Sequence, residues 1–211
     1  MVHVFYYRME YRLPAASYNK YLNELPVSIR EKIRSYRYWQ DAERSLAGHI
    51  LLIKGLEALD IRGYSLAQLK YSAYQKPYFE GRTNFNITHS GQYVLCAISD
   101  TDKVGVDVEE IREIPLIDFT QFFYDEEWQA VLNSANQLHA FYTLWTKKEA
   151  FLKVIGSGLN VPVNQVVIKD NSIYWKDERW YLHEIPLDPT HVSWLCSDCQ
   201  FLLVNVTAIK L

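Results

Sequence analysis

Polar and apolar positions alternate along some stretches of this chain and recur at spacings of three and four along others. Residues 2–9 alternate and predict a strand, after which Pro14, Ser17 and Pro26 punctuate short helical pieces. From Ser28 the spacing turns helical. Asp41 is placed as the N-cap of a helix whose apolar positions Leu46, Ile50, Ile53 and Leu56 run to about Leu59. Residues 84–91, 92–99 and 104–109 each predict a strand. Asp125 is placed as the N-cap of a helix to about Asn133. A longer helix follows over about 137–155, with Leu144, Trp145, Lys148, Phe151, Leu152 and Ile155 as its buried stripe and Gly156 as its C-cap. The remainder is strand-rich, with a hairpin turn at Ser197-Asp198. Each half thus offers helices followed by a meander of strands, and no direct sequence repeat relates them.

At 211 residues the chain makes one domain or two small ones and buries about 70% of its unfolded surface without a staple. A net charge of -3 argues against a general nucleic-acid binder. No apolar run approaches the length of a membrane span, and the N-terminus lacks the pattern of a secretion signal. The expectation is a soluble, cytoplasmic protein with neither nucleic acid nor membrane as partner. Cys96, Cys196 and Cys199 fit a reducing compartment. Cys196-Ser-Asp-Cys199 is formally a C-x-x-C, but it lies in an alternating region and no second pair completes a zinc site, so a plain hairpin is expected.

Candidate chemistry gathers around residues 104–109, Val-Gly-Val-Asp-Val-Glu. Val104, Val106 and Val108 point to one strand face, and Gly105, Asp107 and Glu109 share the other. Two carboxylates on one face repel, and a divalent cation with oxygen ligands is the economical answer. Gly105 leaves room for a ligand to approach the backbone. Arg30, Lys32, Arg34, Arg37 and Arg44 form the most basic part of the chain. Arg44 falls in the first turn of its helix, where a cation gains nothing from the dipole, a hint that it serves a ligand. Lys76 precedes a proline, is held extended and projects freely. Thr88, His89 and Ser90 offer hydroxyl and imidazole groups at a strand end, and Glu149 and Lys153 stand four apart on one helix face. Each feature also has a plainer reading as solvated acid, basic helix face, structural histidine or helix-stabilising pair.

Three ordered motifs together resemble the 4′-phosphopantetheinyl transferases, specifically the longer Sfp-type class. They are Lys76-Pro77 through Gly81 to Phe85-Asn86-Ile87-Thr88-His89-Ser90-Gly91; Val104-Gly105-Val106-Asp107-Val108-Glu109; and Trp145-Thr146-Lys147-Lys148-Glu149-Ala150-Phe151-Leu152-Lys153. Arg44 and the Gly156-Ser157-Gly158-Leu159 tail also look like that family, and Thr88 stands where the family more often has Ser. The resemblance implies an α+β fold of two similar halves packed as a pseudo-dimer, residues 1–101 with the nucleotide contacts and 102–211 with the metal and phosphate contacts. It implies Mg²⁺-dependent transfer of the phosphopantetheine arm of coenzyme A to a serine of an apo acyl or peptidyl carrier protein, releasing 3′,5′-ADP. Asp107, Glu109 and Glu149 would hold the metal, and Lys148 and Lys153 would contact the phosphate chain. Arg44, Lys76, Thr88 and His89 would bind the nucleotide end. Glu149 would also take the serine proton, directly or through a water. The length favours the single-chain form over the shorter trimeric class, so a monomer is expected. Lys147, Lys153, Phe119, Phe122, Phe123 and Tyr124 are candidates for the carrier-docking surface.

Two competing readings exist. A coenzyme A or nucleotide-binding module of the same fold would not need the full acidic set with Lys153. A small-molecule phosphotransferase lacks a Walker-type glycine loop.

Overall fold

Alternating β-branched and aromatic residues form β1 (Val2–Arg8), and two proline-led helices follow, α1 (Ala15–Glu24) and α2 (Val27–Arg34). The long helix α3 (Trp39–Ala58) leads through two short strands, β2 (Lys70–Tyr71) and β3 (Pro77–Tyr78), into β4 (Asn84–Ser90), β5 (Tyr93–Ser99) and β6 (Val104–Glu110). Then come α4 (Asp125–Leu132), α5 (Gln137–Ile155), β7 (Ile168–Lys169), β8 (Ser172–Trp175), β9 (Glu178–Glu184), β10 (His191–Ser197) and β11 (Val204–Ala208). The computed structural model describes residues 1–211 apart from the side chain of Leu159.

Two sheets carry the α+β fold. The first has the order β11-β1-β5-β4 and the second β6-β10-β9-β8-β7. In the first, α3 packs Leu46, Ala47, Ile50 and Leu51 against Phe5, Val94, Cys96 and Ile98. In the second, α5 packs Ala150, Phe151 and Val154 against Val192, Trp194 and Cys196. The inner faces meet through Val2, Val4, Leu95, Ala97, Val104, Val106, Val108 and Leu195. The molecule is therefore helix, sheet, sheet, helix. The middle strands β5 and β10 are buried at every position because both their faces lie in a core.

Several expected boundaries and pairings differ. Helix α3 begins at Trp39 with Tyr38 as its N-cap, and Asp41 sits inside the first turn, where its Oδ1 accepts from Arg44 at 3.0 Å. Tyr124 rather than Asp125 caps α4. Helix α5 matches the expected span and ends on Gly156 at φ +67. The hairpin expected at Ser197-Asp198 does not form. Strand β10 stays in the second sheet, while β11 crosses to the first and pairs in parallel with β1, Val204 opposite Val2. Cys196 is a fully buried thiol of an inner strand, and all three cysteines are free. The division at 101/102 falls in the link between β5 and β6.

Gly105 faces α5. A Cβ there would lie 2.2 Å from the Ala150 carbonyl oxygen and 2.4 Å from the Val154 nitrogen, so the room at Gly105 is filled by the helix backbone, not by a ligand. Lys148 is a polar anchor of this half. It is fully buried, and its Nζ donates to Glu127 Oε2 at 2.7 Å and to the carbonyls of Val163 and Val166 at 3.2 and 2.7 Å. Glu127 Oε1 in turn accepts the Ile168 N–H at 3.0 Å. The pair ties α4 and the chain leading into β7 under α5. Removing one partner strands the other as a buried charge, which costs far more than the net worth of the pair. Lys148→Ala is expected to lower unfolding stability by about 3–5 kcal/mol in a urea titration; a loss below about 1 kcal/mol would show that the ammonium anchors nothing.

Candidate active site between the two halves

Strands β4 and β6 belong to different sheets, yet they lie side by side, and the polar side chains of β4 join them. Asn86, Thr88 and Ser90 share one strand face by the two-residue period. Asn86 Oδ1 accepts the Val106 N–H at 3.0 Å, Thr88 Oγ1 donates to Asp107 Oδ1 at 3.0 Å, and Ser90 Oγ donates to Glu109 Oε2 at 2.8 Å while accepting the Glu110 N–H at 3.1 Å. The partner numbers rise together, so the strands run parallel along this seam. Lys153, in the last turn of α5, closes it by donating to Thr88 Oγ1 at 2.8 Å and to Asp107 Oδ1 at 2.5 Å. Glu149 stands one helical turn earlier on the same face.

The electrostatics of this corner are unbalanced. Asp107 is only 3% exposed, and its Oδ2 is buried with no hydrogen-bond partner among the described residues. Burial, then the Asp107 charge, pushes the Glu109 carboxyl up to about 7. Burial and the same neighbour raise Glu149, which Lys153 partly offsets. Burial first and the Asp107 charge second thus raise two of the three acids. Among the described residues no three acid, imidazole or thiol side chains already converge as a metal cage. The three carboxylates are neighbours rather than a finished coordination sphere, as suits an ion that takes its remaining oxygens from water and phosphate.

The other expected residues fall in three places. His89 lies on the opposite face of β4, toward the start of α3, where surrounding protein and then the Arg44 and Lys153 cations hold its imidazole below its ordinary value. Arg44 reaches the same side; its Nε and Nη2 donate to the Gly91 carbonyl at 2.9 and 2.7 Å, and Asp41 neutralises its helix-start position. Lys76 bridges from the first half to the end of α5, donating to the Val154 carbonyl at 2.9 Å, and burial brings its ammonium down to about 8. A cavity of about 290 Å³ opens beside it, lined by Lys76, Phe79, Phe85, Ile155 and Gly156.

Lys148 is the residue that does not come to the site. It points into the core of the second half, so the phosphate contact expected of it is replaced by the Glu127 anchor. Of the docking candidates, Phe123 is core, while Phe119 and Phe122 lean on Trp145 at 6.0 and 5.9 Å between ring centres. Tyr124 stays exposed, and Lys147 is drawn over Trp194 at 4.1 Å. Asn86 and the Gly91 carbonyl were missed from sequence. The same-face spacing of 86, 88 and 90 carried the signal for the first, and nothing local carried the second.

Two family models meet over the chain: 4′-phosphopantetheinyl transferase, N-terminal, matches residues 14–101, and the 4′-phosphopantetheinyl transferase superfamily matches 103–195. The 4′-phosphopantetheinyl transferase gsp of Aneurinibacillus migulanus is 33% identical over 82% of this chain and 75% of its own length. The 4′-phosphopantetheinyl transferase Sfp of Bacillus subtilis is 30% identical over 90% of each. With the two matched segments lying on the two halves that meet at Asp107, this chain belongs to the 4′-phosphopantetheinyl transferase superfamily, in its Sfp-type branch.

Proposed function

We propose that the corner between β4, β6 and α5 is where this transferase moves the 4′-phosphopantetheine arm of coenzyme A to a serine hydroxyl of an acyl or peptidyl carrier protein, releasing 3′,5′-ADP. The observation that carries the reading is Asp107, a buried carboxylate with one oxygen on Lys153 and the other unpartnered, flanked by two acids of raised pKa. The unpartnered oxygen and the hard-oxygen donor set fit Mg²⁺, with Asp107, Glu109 and Glu149 as its protein ligands. Bound there, Mg²⁺ would neutralise charge on the pyrophosphate and on the phosphate that leaves.

The chain's own groups supply the rest. Lys153 has three N–H donors, two of them on Thr88 and Asp107, and the third serves a phosphate oxygen. Thr88 spends its one proton on Asp107 and accepts from Lys153, so it meets the nucleotide end only as an acceptor. Glu149, made more basic by burial and by the Asp107 charge, is suited to take the proton the serine loses. Arg44 keeps one hydrogen on each Nη after binding Gly91 and Asp41, and with His89 and Lys76 it forms the nucleotide side. Three free thiols support a reducing, cytoplasmic setting, and both halves on one chain support a monomer. No helix among the described residues is long and apolar enough to cross a membrane.

Incubating an apo carrier protein with this protein, coenzyme A and Mg²⁺ is expected to add one phosphopantetheine to the carrier by intact mass, and EDTA to abolish the gain. Coenzyme A binding without transfer to any of several carriers would instead favour the binding module. Asp107→Asn and Glu149→Gln are each expected to lower kcat by at least about 100-fold at saturating Mg²⁺, and near-normal turnover in Glu149→Gln would remove both roles from that residue.

Lys76 sets a pH dependence. Its folded pKa of about 8 lies below the ordinary lysine value, so the ammonium that attracts an anion disappears as pH rises through about 8. KM for coenzyme A should therefore climb above that pH in the native protein. Lys76→Arg, which stays charged, should remove the inflection; an inflection that survives it belongs to another group.

A further inference from the structure

Gly91 turns the chain from β4 into β5 with φ +53, and its carbonyl is the anchor of Arg44. The other side of the same residue is just as closely occupied. A Cβ on Gly91 would lie 2.6 Å from His191 Nε2 and 2.6 Å from Glu110 Oε2. The turn is therefore held between a guanidinium on its carbonyl and, where a side chain would stand, an imidazole edge and the Glu110 carboxylate. His191 comes from β10, in the second half, directly opposite Glu110 in the ladder.

The ring has little freedom. Its side chain is fully buried, and Tyr93 meets it edge-on with ring centres 4.7 Å apart. The Thr190 hydroxyl spends its single proton on Asp188 Oδ1, so His191 Nδ1 is the donor in its 2.8 Å contact with Thr190 Oγ1. Asp188 is itself fixed by the Thr190 N–H at 3.0 Å, the Tyr93 hydroxyl at 3.0 Å and Arg8 at 3.3 Å. Burial opposes its charge, but the bonds from Thr190, Tyr93 and His191 prevail and hold its carboxyl down at about 2. Nε2, at the far end of this tethered ring, has no hydrogen-bond partner among the described residues. What it meets is Gly91.

We infer that His191 is a positioning residue for coenzyme A binding: its tethered ring is the stop against which the Gly91 turn rests, and so fixes where Arg44 presents its two remaining N–H groups. The inference builds on the reading of Arg44 as a nucleotide contact. It explains why a buried histidine of the second half, one ladder pair from Glu109, is tied down through Asp188, Thr190, Tyr93 and Arg8. It also gives Arg44, which grows from the other half, a fixed reference across the cleft.

The test is a double-mutant cycle read as KM for coenzyme A against kcat, with an apo carrier protein as acceptor. His191→Ala opens a void behind the turn and is expected to raise KM about tenfold with kcat within about twofold. His191→Phe refills the void but lacks the Nδ1 tether, so its KM should fall between those of His191→Ala and the native protein. Arg44→Ala should raise KM on its own, and the double variant should be no worse than Arg44→Ala, because both act through one carbonyl. If Arg44→Ala leaves KM unchanged, the nucleotide reading of Arg44 fails and the inference falls with it. If Arg44→Ala raises KM while His191→Ala changes only the melting temperature, or the two effects multiply, the positioning role alone is overturned. Should His191→Ala not fold, Asp188→Asn loosens the same tether and is expected to give the same KM shift at unchanged kcat, and its failure to do so would overturn the role equally.

Discussion

The constraint on which the site depends is that β4 and β6 adjoin without sharing a backbone ladder. Asn86, Thr88 and Ser90 span the gap instead, so the hydroxyls and amide that would otherwise face solvent determine which residue of one half meets which residue of the other. Because those bonds end on Asp107, Glu109 and the backbone N–H groups of Val106 and Glu110 on either side of them, the register of the seam and the geometry of the acids are one quantity. Slipping β4 by a single residue would turn Phe85, Ile87 and His89 toward Asp107 and send the three linkers toward α3.

The seam does not hold the halves together by its own strength. Each of its bonds contributes about 1 kcal/mol net, a little more where a carboxylate accepts. The layer beneath contains ten buried apolar residues from both sheets, each worth about 1.5–3 kcal/mol on burial, so cohesion comes from there. The division of labour has a chemical consequence. Asp107 and its neighbours repel one another and carry uncompensated negative charge, and a site that destabilises itself in this way persists only on a scaffold stabilised elsewhere.

How much of this was legible in the sequence follows from the range of each signal. Helix α5, its glycine cap and the faces of β6 are properties of a few neighbouring residues, and periodicity gave them correctly. Lys148 shows the opposite error. Its place four residues before Leu152 set it on the apolar stripe, while the motif set it beside the phosphates; the helical period was the better guide, because a buried ammonium needs only a carboxylate and two carbonyls to be stable in the core. Gly105 was read as space for a ligand because the sequence names no neighbour, and the neighbour is the backbone of α5. Strand β11 was recognised as a strand, but its pairing with β1 spans nearly the whole chain, and no local pattern distinguishes that from a hairpin with β10.

That last pairing completes the argument about the halves. Were β11 to turn back onto β10, the second half would be joined to the first by the link between β5 and β6, by the apolar layer and, at one end only, by the hydrogen bonds of the β4–β6 seam and of Lys76. Apolar surfaces resist separation but not sliding, since contact area changes little when one smooth layer shifts over another. The backbone bonds of β11 to β1 are directional, with five residue pairs in fixed register, and they pin the far end of the second half to the first sheet. A site whose working atoms lie about 3 Å apart across the two halves needs a restraint of that kind, because a displacement of about 1 Å would break the bonds of Thr88 and Lys153 to Asp107. The crossing strand is therefore part of the catalytic geometry, although none of its residues approaches the acids.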